Sequence, residues 1–280
     1  MGQDAHMPLL SILTAATGDR ATYVREAGIS LANQELPSGW EFEWLVQEDG
    51  PAPALADMIS EFPFARHKAN MRQLGPADTR NLALRHASGE LIHVLDCDDL
   101  QLPDGLAQAV NALHTYPDIH WVTGQADDLL ECGTRIAFAP LVKPGYIPAG
   151  ELNEFFLTEM RWPIMSASIT ARTASIQALG GWPGATSGED ILLHIALAEL
   201  TPGYHLPETT WLYRRHEQQI TRDPYLISRW DDTKEMGLQR IKTMRQLKLQ
   251  FATQNDHGPS ITSTPTKIFE NNYGSEPASQ

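Results

Sequence analysis

The chain has very few cysteines for its length. Only two of its 280 residues are cysteine, Cys97 and Cys132, so a disulfide framework is excluded and a reducing compartment is expected. No apolar run approaches the ~18 residues that a membrane-spanning helix needs, and the N-terminus lacks the charged-then-apolar layout of a signal peptide. We therefore expect a cytoplasmic protein without a transmembrane segment.

Basic residues are also scarce. Lys and Arg total 21 against 35 Asp and Glu, a formal net charge of −14. Such a surface repels nucleic acid and anionic lipid, so a nucleic-acid partner is not expected. A phosphorylated ligand would need a local cation or a metal ion to bind.

Three common active-site signatures are missing. The sequence has no Gly-x-x-x-x-Gly-Lys-Ser/Thr loop and no Gly-x-Gly-x-x-Gly after its first strand, which argues against an ordinary ATPase and a dinucleotide cofactor. Ser166 and Ser168 lack the Gly-x-Ser-x-Gly elbow of many hydrolases.

A cluster of acids follows a short apolar run. Residues 91–95 read as a buried strand that stops at Asp96, Asp98 and Asp99, and Pro103 opens a helical pattern. Ligands of open α/β sheets bind at this carboxyl edge. Crowded carboxylates repel one another unless a cation neutralises them, and Mg²⁺ or Mn²⁺ prefers such oxygen ligands. A solvated acidic turn is the alternative.

Strands and helices alternate along the first half. Apolar runs predict strands near 9–13, 42–46, 64–68, 91–95 and 119–123, with helices near 19–33, 54–61, 80–86 and 103–116. This order predicts an α/β fold whose mostly parallel sheet is covered on both faces. Beyond Asp127 we expect a hairpin at 132–139, helices at 151–160, 191–200 and 225–249, and strands at 164–171 and 204–213. Residues 1–6 resemble a vector remnant, and residues 251–280 a mobile tail.

Acid also follows the second strand, at Glu48 and Asp49. Two acidic strand ends of one parallel sheet can face the same crevice, and a nucleoside diphosphate bridged by Mn²⁺ or Mg²⁺ would satisfy both. The first strand ends in small residues, 14–19, which suit close approach of the backbone to a ligand.

Asp190 lies where a clear apolar helix begins. Ser187 followed three residues later by an acid predicts a capping box, in which Asp190 is a structural cap. A helix N-terminus also favours the ionised carboxylate, so Asp190 could instead be a base that takes the proton of an attacking hydroxyl. Glu189 would then shape the acceptor side.

Three further side chains have both a binding and a structural interpretation. His216, in a basic stretch, could offset a diphosphate or ligate a metal, or be an ordinary core or surface histidine. Arg80, at a helix start, could reach a phosphate or hold Asp96 in an ion pair. Trp182 could stack on a sugar or pack in the core.

Short motifs along the chain resemble, in their order, those of a known protein family. They are Ser11–Thr14, Glu48–Gly50, Thr79–Asn81, Ser88–Asp99, Gly180–Trp182, Gly188–Asp190 and Tyr213–His216. Together they resemble the inverting glycosyltransferase family 2, which has the GT-A fold. Glu48 departs from that family's first Asp, and the segment 15–18 from its usual Pro/Thr-x-Tyr-Asn.

The resemblance implies one domain over 7–250. It would comprise a nucleotide-sugar-binding half at 7–125, a smaller mixed acceptor-side half at 126–221 and a C-terminal helix at 222–250. It also implies roles for the candidate residues, as follows: Asp190 as general base; Thr14, Ala15, Asp49, Arg80, Asp96, Asp98, Glu189 and Trp182 near the substrates; Asp99, Asp98 and His216 at the metal, with Asp99 the more direct ligand.

We therefore expect a metal-dependent, inverting glycosyltransferase using Mn²⁺ or Mg²⁺. A UDP-sugar is the favoured donor, with GDP- or dTDP-sugars possible, and the acceptor is a small molecule or glycan, such as a soluble metabolite. Two alternatives stay open. A nucleotidyltransferase normally needs a glycine-rich basic loop after the first strand, which segment 14–19 lacks. A non-catalytic sugar-nucleotide-binding module would have no use for a base at Asp190.

Overall fold

The computed structural model describes residues 7–138 and 140–251. The remnant expected at 1–6 lies outside the described residues, as does the tail expected at 251–280 apart from Phe251. The strands are β1 (Leu9–Thr17), β2 (Glu41–Asp49), β3 (Ala65–Ala69), β4 (Leu91–Val94), β5 (Leu100–Gln101), β6 (Trp121–Leu130), β7 (Arg135–Ala137), β8 (Gly145–Ile147), β9 (Ile169–Arg172) and β10 (Gly203–Arg215). The α-helices are α1 (Ala21–Ala32), α2 (Ala56–Ile59), α3 (Pro76–Leu84), α4 (Gly105–Thr115), α5 (Glu151–Glu159), α6 (Thr173–Ala178), α7 (Glu189–Leu200), α8 (Pro224–Ser228) and α9 (Trp230–Leu247).

The strands form one sheet in the order β3-β2-β1-β4-β9-β6-β10-β5. Strands β3, β2, β1 and β4 run parallel, as do β6 and β10. Strand β9 is antiparallel to both of its neighbours, and β7 and β8 add antiparallel pairs at β6 and β10. The predicted α/β class with a mostly parallel sheet flanked by helices is therefore confirmed.

The core lies on both faces of this sheet. Ile12 of β1 packs in one buried cluster with Val24 of α1 and Val110 of α4. Its neighbour Leu13 packs in a second cluster with Leu193 of α7. Because successive side chains of a strand point to opposite faces, β1 needs apolar cover on both sides. Among the described residues, no helix is long and apolar enough to cross a bilayer.

Several predicted boundaries are wrong. The helix expected from Pro103 begins at Gly105, because the N-cap residue Asp104 has a left-handed backbone conformation. Residues 100–101 pair with β10 as β5. The strand expected at 164–171 is limited to β9. The long helix expected at 225–249 is divided into α8 and α9. Strand β8 and helix α6 were not predicted.

Candidate active site

The turn after β4 that contains Asp96, Asp98 and Asp99, called here the acidic turn, opens onto a cleft at the carboxyl edge of the sheet. This cleft, called here the strand-end cleft, has a volume of about 310 Å³, and its lining includes Ala15, Arg20, Asp49, Asp96 and Asp98. The ends of β1, β2 and β4 therefore meet at one site, as the parallel pairing of these strands requires.

Arg80 of α3 connects two acids that are far apart in the chain. Its guanidinium donates to Oδ1 of Asp96 and to Oε1 of Glu189, both at 2.6 Å. The Arg80 side chain is 8% exposed, and its two carboxylate neighbours raise its pKa despite burial. Arg80 is therefore bound to the protein's own carboxylates and holds the acidic turn against the start of α7.

Asp98 pairs with His216 just beyond the end of β10. Oδ2 of Asp98 lies 2.8 Å from Nε2 of His216, and Nδ1 of this buried histidine has no hydrogen-bond partner among the described residues. The neighbouring Arg214 turns away from the cleft, donating to the carbonyl of Asp98 and to Glu26. The end of β10 is thus anchored to the acidic turn.

Asp99 is buried beneath this turn. It is 1% exposed; its Oδ1 accepts from the backbone N–H of Arg214 at 2.9 Å, whereas Oδ2 has no partner in the described chain. Burial, followed by repulsion from Asp98 and Asp96, raises its pKa well above that of an ordinary aspartate. Asp98, which lines the cleft, is better placed than Asp99 to meet a ligand.

The side chains of the acidic turn fit a divalent cation that also binds the ligand. Within 7–138 and 140–251, no three His, Cys, Asp or Glu side chains meet in a ready metal site. Magnesium-type ions, however, often take one or two carboxylates and complete their shell with water and substrate phosphates. Asp98 lines the cleft, and its repulsion of Asp96 and Asp99 is an unfavourable interaction that such an ion would offset.

The Asp49 carboxylate organises the opposite wall. Its oxygens accept from the backbone N–H groups of Leu74 and Gly75 at 2.7 and 2.9 Å and from the amide of Asn70. Asp49 therefore holds the loop before α3. Glu48 is 1% exposed and accepts from backbone N–H groups of the next loop, so it is structural.

Asp190 lines a second, larger cavity of about 550 Å³. Asp96, Tyr213 and Thr221 line both this cavity and the strand-end cleft, so the two adjoin. The larger one is called here the Asp190 cavity. Asp190 thus lies across from the acidic turn, with Asp96 at the junction.

The start of α7 differs from the predicted capping box. Gly188 is the N-cap residue, in a left-handed conformation, and no side chain caps the helix. Burial and the neighbouring Glu189 raise the pKa of Asp190 to about 7, although Arg80 and the N–H of Ile191 oppose them. The helix N-terminus was expected to favour the ionised carboxylate of Asp190, and in the structure burial opposes that effect.

Two residues expected near the substrates are buried in the protein. Thr14 is fully buried, donates to the carbonyl of Leu95 and accepts from Nε1 of Trp44. Trp182 is 3% exposed in the second core cluster, and its backbone N–H and carbonyl bond the side chain of Asn81. Neither side chain lines the strand-end cleft or the Asp190 cavity.

Sequence reasoning assigned no role to three lining residues, Arg20, Tyr213 and Trp230. Arg20 enters the strand-end cleft and donates to the carbonyl and side chain of Gln218. Tyr213 lies at the junction, and Trp162 and Trp230 line the Asp190 cavity. Arg20 follows the small-residue end of β1, and its position there is the one sequence signal that could have identified it.

Comparison with known proteins agrees with this geometry. Residues 11–138 match the sequence model of the family described as Glycosyl transferase family 2. An uncharacterized glycosyltransferase of Methanocaldococcus jannaschii is 29% identical over 117 residues, which cover 40% of this chain and 39% of that protein.

Solved structures share the fold. Residues 1–349 of S. aureus TarS in complex with UDP-GlcNAc align with a TM-score of 0.63 and 20% identity, over 78% of this chain and 62% of that one. The mannosyltransferase PcManGT from Pyrobaculum calidifontis, in complex with GDP-Man and Mn²⁺, aligns with a TM-score of 0.56 and 14% identity, over 87% and 75%. The chain therefore spans less than two thirds of the M. jannaschii and TarS chains. Residues 11–138 are thus similar to a glycosyltransferase family 2 domain, and the chain has the GT-A fold.

Proposed function

We propose that this protein is an inverting glycosyltransferase that moves a sugar from a nucleoside diphosphate to an acceptor hydroxyl. One observation carries the proposal: Asp49, Asp96 and Asp98 share a cleft that adjoins, at Asp96, the cavity lined by Asp190. A donor and an acceptor could thus meet at this junction.

The strand-end cleft would hold the nucleotide. The wall that Asp49 organises would face the base and ribose, with Ala15 allowing close approach. Arg20 would lie near the diphosphate, since Arg80 is already paired with two carboxylates. A UDP-sugar is our first choice of donor, with GDP- and dTDP-sugars as the alternatives.

Asp98 would hold a Mn²⁺ or Mg²⁺ ion together with the donor phosphates, and His216, which is buried and bonded to Asp98, would orient that carboxylate. When bound, the ion would stabilise negative charge on the departing diphosphate. This assignment gives Asp98 the direct role that the sequence suggested for Asp99, because Asp98 lines the cleft whereas Asp99 is buried. Asp99 then supports the turn from below.

Asp190 would act as the general base. Its carboxylate takes the proton of the acceptor hydroxyl, and the hydroxyl oxygen attacks the anomeric carbon from the face opposite the diphosphate. The bond from that carbon to the phosphate oxygen breaks, and its electron pair leaves with the nucleoside diphosphate. The configuration inverts in one step. A base with a pKa of about 7 is well matched to this task at neutral pH.

A donor panel tests the proposal. The purified protein is incubated with UDP-, GDP- and dTDP-sugars plus Mn²⁺, and release of nucleoside diphosphate is measured. Slow hydrolysis of one donor class is expected even without an acceptor. Binding without release from any sugar would instead support a non-catalytic module, and pyrophosphate release from a nucleoside triphosphate and a sugar phosphate would support a nucleotidyltransferase.

A further inference from the structure

The wall of the Asp190 cavity is mainly apolar. It is formed by α5, the segment 161–167, the start of α7 and the start of α9. The apolar side chains lining it include Phe156, Trp162, Ile164, Met165, Ile191 and Trp230. We propose that the acceptor is a small molecule whose reacting hydroxyl is carried by an aromatic or polycyclic apolar body. This inference rests on the proposed function.

Most polar groups of the wall already have partners within the protein; Nε1 of Trp162 is a buried donor that has none among the described residues. A sugar acceptor would need free donors and acceptors for its several hydroxyls, because buried polar groups without partners are costly. The paired groups are Tyr213 with Thr221 at 3.2 Å, Thr233 with the Ser187 carbonyl at 2.6 Å, Ser166 with His194 at 2.9 Å and Lys234 with Asp231 at 3.0 Å. The wall therefore suits a ligand with few hydroxyls, one of which meets Asp190.

Aromatic residues make one part of this wall rigid. Trp162 lies edge-on to Phe156, with ring centroids 6.2 Å apart, and its ring is also 6.2 Å from that of His194. The pKa of His194 is lowered to about 3 by burial, so this ring is neutral. Flat apolar molecules pack well against such a surface.

Methionine makes another part adaptable. Met160 and Met165 line the same cavity, and unbranched thioether side chains can repack around ligands of different shape. We therefore expect the site to accept several apolar skeletons that share one correctly placed hydroxyl.

The size of the cavity agrees with a small-molecule acceptor. A volume of about 550 Å³ lies within the range of roughly 300–1,000 Å³ found for ligand pockets. A neighbouring cavity of about 460 Å³ shares Ile164 and Met165 and adds Phe138 and Leu141. An apolar body longer than two fused rings could thus continue along the same wall.

Binding of two defined probes tests this inference without requiring catalysis. The probes are 4-methylumbelliferone, a flat aromatic molecule with one hydroxyl, and methyl glucoside, a hydroxyl-rich one. Calorimetry on the full chain should detect the first and not the second. Met165→Gln should weaken binding of 4-methylumbelliferone about tenfold, because it places an amide in the apolar wall.

Met236→Gln is the matched control. Met236 lies on α9 and is 43% exposed, so this variant should bind the probe like the wild type. If Met165→Gln does not fold, Trp230→Ala, which removes an aromatic wall from the start of α9, should show the same loss. Preferential binding of methyl glucoside, or probe binding unaffected in both cavity variants, would overturn the inference.

The outcome is separable from that of the proposed function. Hydrolysis of a nucleotide sugar with no binding of 4-methylumbelliferone would overturn only the acceptor class. Probe binding without hydrolysis of any donor would overturn the transferase while leaving the apolar site in place.

Discussion

Asp190 is a carboxyl group whose protonation changes near neutral pH. Burial and Glu189 favour its neutral form, whereas Arg80 favours its ionised form, and the balance gives a pKa of about 7. A general base acts only when it is deprotonated. The rate of transfer should therefore rise as the pH increases through about 7.

Asp190→Asn should remove this pH-dependent rise and lower kcat by roughly 10²–10⁴-fold, the usual contribution of a general base. Donor binding should stay close to that of the wild type. Steady-state kinetics from pH 5.5 to 8.5 measure both effects. Asp57→Asn, at an exposed position of α2, is the control. A pH profile that persists in Asp190→Asn would contradict the role given to this residue.

Arg80 affects the same base through its charge. Its attraction lowers the pKa of Asp190, so Arg80→Met should move the rising part of the pH profile to higher pH. The variant should also lose stability, on the order of 3–5 kcal/mol, because Asp96 and Glu189 lose a buried partner.

Arg25→Met provides the comparison for Arg80. Arg25 pairs with Glu61, and both side chains are about half exposed; such exposed pairs contribute little. Its pH profile and its urea-unfolding midpoint should match those of the wild type. An unchanged pH profile in Arg80→Met, in protein shown to be folded, would mean that Arg80 does not tune the base.

At the scale of elements, the strand-end cleft depends on the close contact of β1 and β4. Gly89 precedes β4, and a Cβ atom there would lie 2.5 Å from the Leu9 carbonyl oxygen and 2.7 Å from the Ser11 nitrogen. Both atoms are backbone, so they can yield only if the strands move apart. Only glycine, which has no Cβ atom, fits between the two strands at this position.

Gly89→Ala should therefore destabilise the protein by about 1–3 kcal/mol, the usual cost of overpacking. Gly184→Ala, where an added Cβ meets nothing within 4 Å, should be nearly neutral. Chemical denaturation of both variants measures the difference. Equal stability of the two would show that β1 and β4 tolerate separation.

Elements with a strong local pattern were predicted best. Helices α1 and α7 have regular apolar spacing, and the structure has them within about two residues of the predicted bounds. Strand β2 extends three residues beyond its predicted end, because pairing with β1 and β3 and side-chain hydrogen bonds bury its polar residues. Strand β5 has two residues and depends on pairing with β10, which no local pattern reveals.

At the scale of the whole molecule, the sequence predicts where the site lies better than which atoms form it. Parallel strands place their carboxyl ends together, which predicted the shared cleft. The contacts that join its parts are long-range: Arg80 and Glu189 are 109 residues apart, and Asp98 and His216 are 118 apart. The burial of Thr14 and Trp182 depends on packing between distant elements, which no local pattern reveals.

The central claim is that acids from separate elements hold an ion and a nucleotide in the strand-end cleft, while Asp190 acts as the base in the adjoining cavity. Calorimetric titration of UDP and of GDP, each with Mn²⁺, into wild type, Asp98→Asn and Asp190→Asn tests it most directly. We predict that one nucleotide binds the wild type and Asp190→Asn alike, and binds Asp98→Asn at least about tenfold more weakly. Equal binding to Asp98→Asn, or loss of binding in Asp190→Asn, would contradict the account.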